Sequence, residues 1–208
     1  MFPLGAIITG SFYGSQAEFK ATGIPDRFPS GGKTSIVANT WLSSIVADGQ
    51  NEALYLSNLA TPFYSKSLAF KQNNLIPANK IKDIFDWTDS QDKGTLVWFI
   101  IFDATGGAIA DVPMDATSYS HRDKLLFYQS YAVGLPLSGK TKDFLTNFHN
   151  QLLAASPTAY GTYAGYVDPA LKDGQQQYWG PNLPKLQTLK KRFDPGDLFH
   201  NPQSVRVV

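Results

Sequence analysis

Several stretches of this chain place reactive residue types at spacings that could do chemistry. Gly31-Gly-Lys-Thr-Ser35 has the ending of a loop whose backbone N–H groups and lysine cradle a phosphate. The earlier glycine that such a loop needs is Arg27, and Pro29 interrupts where a strand should lead in. His121-Arg-Asp123 has the opening of a kinase catalytic loop, whose Asp takes the proton of the attacking hydroxyl. The Asn expected five residues after that Asp is Tyr128, and neither a Gly-rich loop nor a metal-binding Asp-Phe-Gly occurs. His121, His149 and His200 are far apart, and none has metal-ligand spacing to a second His or a carboxylate. His149 reads as a solvated helix residue, and His121 and Arg122 as structural. No G-x-S-x-G elbow is present, which excludes an α/β-hydrolase nucleophile.

Gln129 stands apart from these. On a strand beginning at Lys124, alternation sends Leu125, Phe127 and Gln129 to one face and Lys124, Leu126 and Tyr128 to the other. An amide among apolar side chains costs roughly 1–3 kcal/mol unless it is paired. Gln129 therefore has a protein partner or is kept for a ligand hydroxyl, the alternative being a core glutamine bonded to backbone.

The elements that must position such residues can be read along the chain. Leu4–Tyr13 suits a strand, and Ser15-Gln-Ala-Glu18 has the form of a capping box that opens a short helix. Thr22–Ser35, with Pro25, Pro29 and adjacent glycines, is a loop. Ala53–Leu59 and Phe63–Phe70 suit strands, and Leu75–Trp87 has Ile76, Ile81, Ile84 and Phe85 near one helical face. Thr95–Phe102 is a continuous β-branched and aromatic run, the mark of a strand covered on both faces. Lys124–Tyr131 and Tyr160–Val167 suit strands, and Lys140–Ala155 and Leu183–Phe193 amphipathic helices. The mixed order predicts an α+β fold with helices on one face of a sheet.

Composition narrows the function. Aromatics are 13% of the 208 residues, and Lys+Arg at 18 balances Asp+Glu at 17, so no basic footprint for nucleic acid is present. Without cysteine there is no disulfide framework and no thiolate nucleophile or metal site, and the compartment stays open. The opening Met1-Phe-Pro-Leu-Gly-Ala-Ile-Ile-Thr-Gly lacks a basic region, and its apolar stretch is too short and too Gly-rich for a signal peptide or a membrane span. It reads as a strand starting in mid-fold, as a fragment would show.

The C-terminal motifs carry a resemblance. Tyr163-Ala-Gly-Tyr-Val-Asp168-Pro, Tyr178-Trp-Gly-Pro-Asn182-Leu, Leu189-Lys-Lys-Arg-Phe-Asp194-Pro195 and Phe199-His-Asn-Pro-Gln203-Ser follow in order. Together they resemble the C-terminal signature of berberine-bridge-like FAD enzymes. Phe102-Asp-Ala-Thr-Gly-Gly107 resembles that family's strand ending at a Gly-Gly turn, Thr117–Leu125 its His-Arg strand, and Phe63–Leu68 a further strand. With Asp103 before the Gly-Gly turn and Gln129 after His-Arg-Asp-Lys-Leu, the chain is most similar in look to the fungal oligosaccharide oxidases. It departs from the pattern at Gly165, where the family has Asn.

The resemblance implies the substrate domain of a vanillyl-alcohol-oxidase-like flavoprotein, one large antiparallel sheet backed by helices, without the N-terminal FAD domain. Residues 1–155 would be the substrate-domain sheet and helices, and 156–208 the berberine-bridge-like C-terminal segment. It implies a carbohydrate or small alcohol as substrate, oxygen or another electron acceptor, FAD held mostly by a domain outside this chain, and secretion of full-length fungal relatives. Tyr166 would be the catalytic base and Asp103 its proton-accepting partner. Gln129, Phe99 and Ile101 would meet the substrate, and Tyr163, Gly165 and Asn182 the flavin. Residue by residue, Tyr163 and Tyr166 read instead as half-buried strand tyrosines, Asp103 as a turn residue, and Asn182 as a helix N-cap. An inactive substrate-binding remnant is the alternative function.

Overall fold

The computed structural model describes residues 5–48, 62–134 and 136–208. The chain divides into two compact units, Met1–Ala60 and Thr61–Val208. In the first, the expected capping box opens helix α1 (Gln16–Ala21): the Ser15 hydroxyl accepts from the Glu18 N–H, and the Glu18 carboxylate accepts from the Ser15 N–H at 2.7 Å. A second helix, α2 (Trp41–Asp48), follows the Thr22–Ser35 loop, which contains one 3₁₀ turn at Pro25–Arg27. The strand expected over Leu4–Tyr13 is not formed among its described residues, which run irregular and exposed with no ladder partner. A strand without a neighbour leaves its backbone groups to water and gains nothing over coil. The expected strand at Ala53–Leu59 lies outside the described residues.

The second unit contains β1 (Phe63–Phe70), α3 (Ala78–Ser90), β2 (Val97–Ala104), β3 (Leu126–Val133), α4 (Gly139–Ala155), α5 (Gly174–Trp179) and α6 (Leu183–Phe193). The three strands form an antiparallel sheet in the order β1-β3-β2, with Ser67 and Ile101 both opposite Gln129. α3 starts three residues later than its periodicity suggests because Pro77 takes the N-cap position in extended conformation. α4 starts at an N-cap where the Ser138 hydroxyl accepts from the Thr141 N–H at 3.1 Å.

The sheet has two different faces. Leu68 and Phe70 of β1, Tyr128 of β3 and Ile100 of β2 pack on Ile84 and Trp87 of α3 and on Phe148 and Leu152 of α4. Nearer the other end, Phe144 and Leu145 of α4 close on Ala132 and Trp98, with the Phe144 and Trp98 rings edge-on at 5.2 Å. The fold is therefore α+β with helices on one sheet face. β2 is half-buried, with Val97 and Phe102 exposed, and is not covered on both faces as its apolar run predicts. Among the described residues it is an edge strand, so its hydrophobicity serves one ladder and one helix layer.

Tyr160–Val167 is not a strand. Its alternation satisfies the period of two, yet Tyr163–Tyr166 is a turn in which the Tyr166 N–H donates to the Tyr163 carbonyl at 2.9 Å. This irregular stretch runs beside β1, joined to it by the Ala69 N–H donating to the Gly161 carbonyl at 2.9 Å. His149, expected in solvent, is half-buried on α4 beside the Tyr128 ring, with its Nδ1 closed to water and without a partner among the described residues. It lies four residues after Leu145, on the same buried side of the helix. Burial first, and Lys66 second, hold its pKa down at about 4.

Candidate active site

The sheet face away from the helices carries the site. Strand alternation puts Phe99, Ile101 and Asp103 of β2 on this face with Phe127, Gln129 and Tyr131 of β3, as their register requires. Asp103 at the end of β2 and Tyr166 on the 163–166 turn converge there, 63 residues apart in sequence, and the Tyr166 hydroxyl donates to Asp103 Oδ2 at 3.2 Å. Gln129 Nε2 donates to the same oxygen at 2.6 Å and to the Tyr166 hydroxyl at 3.1 Å. Tyr131, whose hydroxyl donates to Gln129 Oε1 at 2.7 Å, fixes which end of the amide faces the pair.

Gln129 thus has side-chain partners at both ends rather than backbone ones. Its two N–H groups are used, leaving one acceptor position on Oε1. The phenol oxygen of Tyr166 donates once and accepts once, leaving one lone pair. Burial, and then the Asp103 carboxylate, push the Tyr166 hydroxyl above the ordinary tyrosine range. Tyr131 is raised for the same two reasons. Burial and the adjacent Asp103 both disfavour the Tyr166 phenolate, so the phenol is protonated at neutral pH.

An aromatic row borders this network. Tyr119, Tyr163 and Tyr166 meet edge-on at 6.1 and 5.3 Å between successive ring centres, and Phe127 closes on Tyr166 at 6.3 Å. Phe99 stacks on Tyr131 at 5.2 Å. Gly165 lies beneath Tyr163: a Cβ there would be 2.5 Å from the Tyr163 ring, so glycine lets the ring lie down on the turn.

Of the residues singled out in the sequence, Asp103, Tyr166, Gln129, Phe99, Ile101, Tyr163 and Gly165 share this face or its rim. Asn182 does not. It is buried at the start of α6, makes no side-chain cap, and donates both amide hydrogens, to the Met114 carbonyl at 2.9 Å and the Thr117 carbonyl at 3.1 Å. His121 is buried against the Tyr178 carbonyl and Asp123 pairs with Lys71 at 2.5 Å, so the kinase-like tripeptide is structural. Gly31–Ser35 is exposed loop that opens no helix. Tyr131 was missing from the sequence-derived set, although the alternation that selects Gln129 selects it too.

Residues 162–206 match the model of the berberine and berberine-like family. The FAD-linked oxidoreductase sorD of Penicillium rubens is 34% identical over 96% of this chain and 44% of its own length. The chain belongs to the berberine-bridge-like FAD-linked oxidoreductases. The carbohydrate oxidase of Microdochium nivale is 31% identical over 97% of the chain and 43% of its own length. Its crystal structure with a substrate analogue superposes with a TM-score of 0.76 at 28% identity, covering 95% of this chain and 44% of that one. The xylooligosaccharide oxidase of Myceliophthora thermophila in complex with xylobiose superposes with a TM-score of 0.70 at 26% identity, covering 94% and 44%. This berberine-bridge-like chain therefore spans less than half the length of the relatives it matches. Among its described residues, no helix is long and apolar enough to cross a membrane.

Proposed function

We propose that this chain supplies the substrate face of an FAD-linked oxidase that removes hydride from a carbohydrate hemiacetal or alcohol carbon, with Tyr166 as the base. The observation that carries the reading is the Tyr166 hydroxyl bonded to Asp103 Oδ2 at 3.2 Å, with Gln129 bridging both, on the sheet face away from the helices. The aromatic row and the bare Gly165 backbone suit contact with a flat ring, and Tyr163, 44% exposed, is the side chain that would meet it. The flavin supplies a hydride acceptor when bound, and oxygen or another acceptor takes its electrons afterwards.

The work of the protein residues is proton management. As hydride leaves carbon the substrate hydroxyl becomes strongly acidic, and its proton passes to the remaining lone pair of Tyr166. The phenol proton moves at the same time to Asp103, since a stepwise transfer from phenol to the much weaker carboxylate base is uphill. Gln129 keeps donor and acceptor in register, and its free acceptor position is available to a sugar hydroxyl. Phe99 and Ile101 offer apolar surface to the sugar ring. The carbohydrate class is supported by relatives named for carbohydrate and xylooligosaccharide oxidation.

The test is a chimera in which this chain replaces the matching 44% of the Microdochium nivale oxidase. Tyr166→Phe should lower kcat by about 10²–10⁴ and leave sugar binding nearly unchanged, as loss of a base acts in the transition state. Unchanged turnover would move the base elsewhere.

A further inference from the structure

Tyr166 sits in a turn, so no helix or ladder fixes it. The 161–168 segment is pinned to β1 at both ends. At its start the Ser67 and Thr162 hydroxyls bond to each other, and at its end the Ser65 hydroxyl donates to the Val167 carbonyl at 3.3 Å. Two residues after Tyr166, Lys66 Nζ donates to Asp168 Oδ2 at 2.7 Å, with the side chains only 11% and 4% exposed. Lys66 points to the helix side of β1, opposite in direction to Ser65 and Ser67. The segment therefore wraps around the edge of β1 opposite β3, holding it from both faces.

Both carboxylate oxygens of Asp168 are engaged. Its Oδ1 accepts from the Ala170 N–H at 3.0 Å, and its own N–H donates to the Tyr178 hydroxyl at 3.0 Å. Burial works against the Lys66 charge, but the bond to Asp168 and the charge behind it prevail, and Lys66 stays cationic. His149, the neighbouring titratable group on α4, is held neutral. Among the described residues, the packing at this edge of β1 thus encloses one cation, Lys66, and one anion, Asp168. Such a buried pair adds little net stability, because desolvation offsets its attraction, and its best-attested use is to select one arrangement among near-equals. A slip by one residue would move Tyr166 by about 3.5 Å, enough to break its bond to Asp103.

We propose that Lys66 and Asp168 are positioning residues for Tyr166, forming a clamp around the β1 edge that sets the register of the turn and so the reach of the phenol to Asp103. The proposal rests on the reading of Tyr166 and Asp103 given above. It is tested on the full chain carrying tyrosine labelled with ¹³C at Cζ, the Tyr166 signal being assigned by its loss in Tyr166→Phe. At about pH 10.5 an ordinary tyrosine is roughly three-quarters ionised, whereas Tyr166 should remain largely protonated. In the double variant Lys66→Met/Asp168→Asn, which leaves no unpaired buried charge, the core should stay folded and Tyr166 should become mostly ionised at that pH. Lys66→Arg should behave as the unsubstituted chain. A folded double variant with Tyr166 still protonated overturns the clamp, and so does loss of the whole fold, which would make the pair a general fold element. Asp103→Asn separates the two ideas: if it raises the ionised fraction and the double variant does not, only the clamp fails. If Asp103→Asn also has no effect, the Tyr166–Asp103 pairing itself is at fault.

Discussion

Replacing Gln129 by leucine removes the one side chain that touches every polar member of the site. The amide is 9% exposed, so leucine fits a space already closed to water and regains about 1–2 kcal/mol of apolar burial. Against that, the bond to the Asp103 carboxylate at 2.6 Å is charge-assisted and contributes about 1.5–3 kcal/mol. The bonds with Tyr166 at 3.1 Å and Tyr131 at 2.7 Å contribute about 0.5–1.5 kcal/mol each. The expected loss is about 2–3 kcal/mol, or a fall in Tm of about 5–10 °C for a chain of this size. Thermal unfolding followed by near-ultraviolet circular dichroism measures it. Gln129→Glu supplies a second arm, since two carboxylates at this separation cannot both ionise and one takes a proton. A carboxyl whose pKa is raised in the fold binds protons that the unfolded chain has released, so its penalty grows as pH rises from acid toward neutral. A Gln129→Leu protein within 0.5 kcal/mol of the parent would refute the bridging role, as would a Gln129→Glu protein whose deficit is the same at pH 4 and pH 7.

His149 should make the chain acid-sensitive. The unfolded side chain takes a proton below its ordinary 6.5 while the folded one stays neutral down to about 4, so up to about 3 kcal/mol is lost on acidification through that window and fully present above it. Urea unfolding from pH 7 to pH 4 should show this slope in the parent and a shallower one in His149→Leu. Gly165→Ala should push the Tyr163 ring off the turn, because the new Cβ would lie 2.5 Å from it. The nuclear Overhauser contact expected between the Tyr163 and Tyr166 rings, now 5.3 Å apart, should then vanish, and its survival would show that the turn yields instead.

Where an element is decided locally, the sequence states it well. Phe63–Phe70 and Leu183–Phe193 are found at their expected bounds because alternation and an i, i+3 stripe are properties of a short window. The capping box of α1 is equally local. Tyr160–Val167 fails for the opposite reason: its conformation is set by Ser65, Lys66 and Ser67, about 95–102 residues earlier in the chain. Periodicity has no access to such contacts. The site was legible as residue types, by resemblance, but its wiring was not. Gln129 reaches Asp103 because β2 and β3 pair in the register that sets Ile101 opposite Gln129, and a shift by one residue would turn the amide to the other face. Partial burial of His149 was within reach, as Leu145, His149 and Leu152 share one side of α4.

The strand order β1-β3-β2 dictates a sequence of events for a chain emerging from the ribosome. β1 and β2 never touch as ladder partners, and each waits for β3, the last of the three to be made. Until about residue Val133 has been released, β1 and β2 lack the strand that each pairs with among the described residues, a condition in which nascent chains seek chaperones or each other. Helix α4 then covers the sheet, and only afterwards can the segment from Gly161 to Asp168 settle against the β1 edge. Tyr166 is thus delivered to Asp103 only after β3 and α4 are in place, and a nascent chain stopped short of it would hold the three-stranded core without the Tyr166–Asp103 bond.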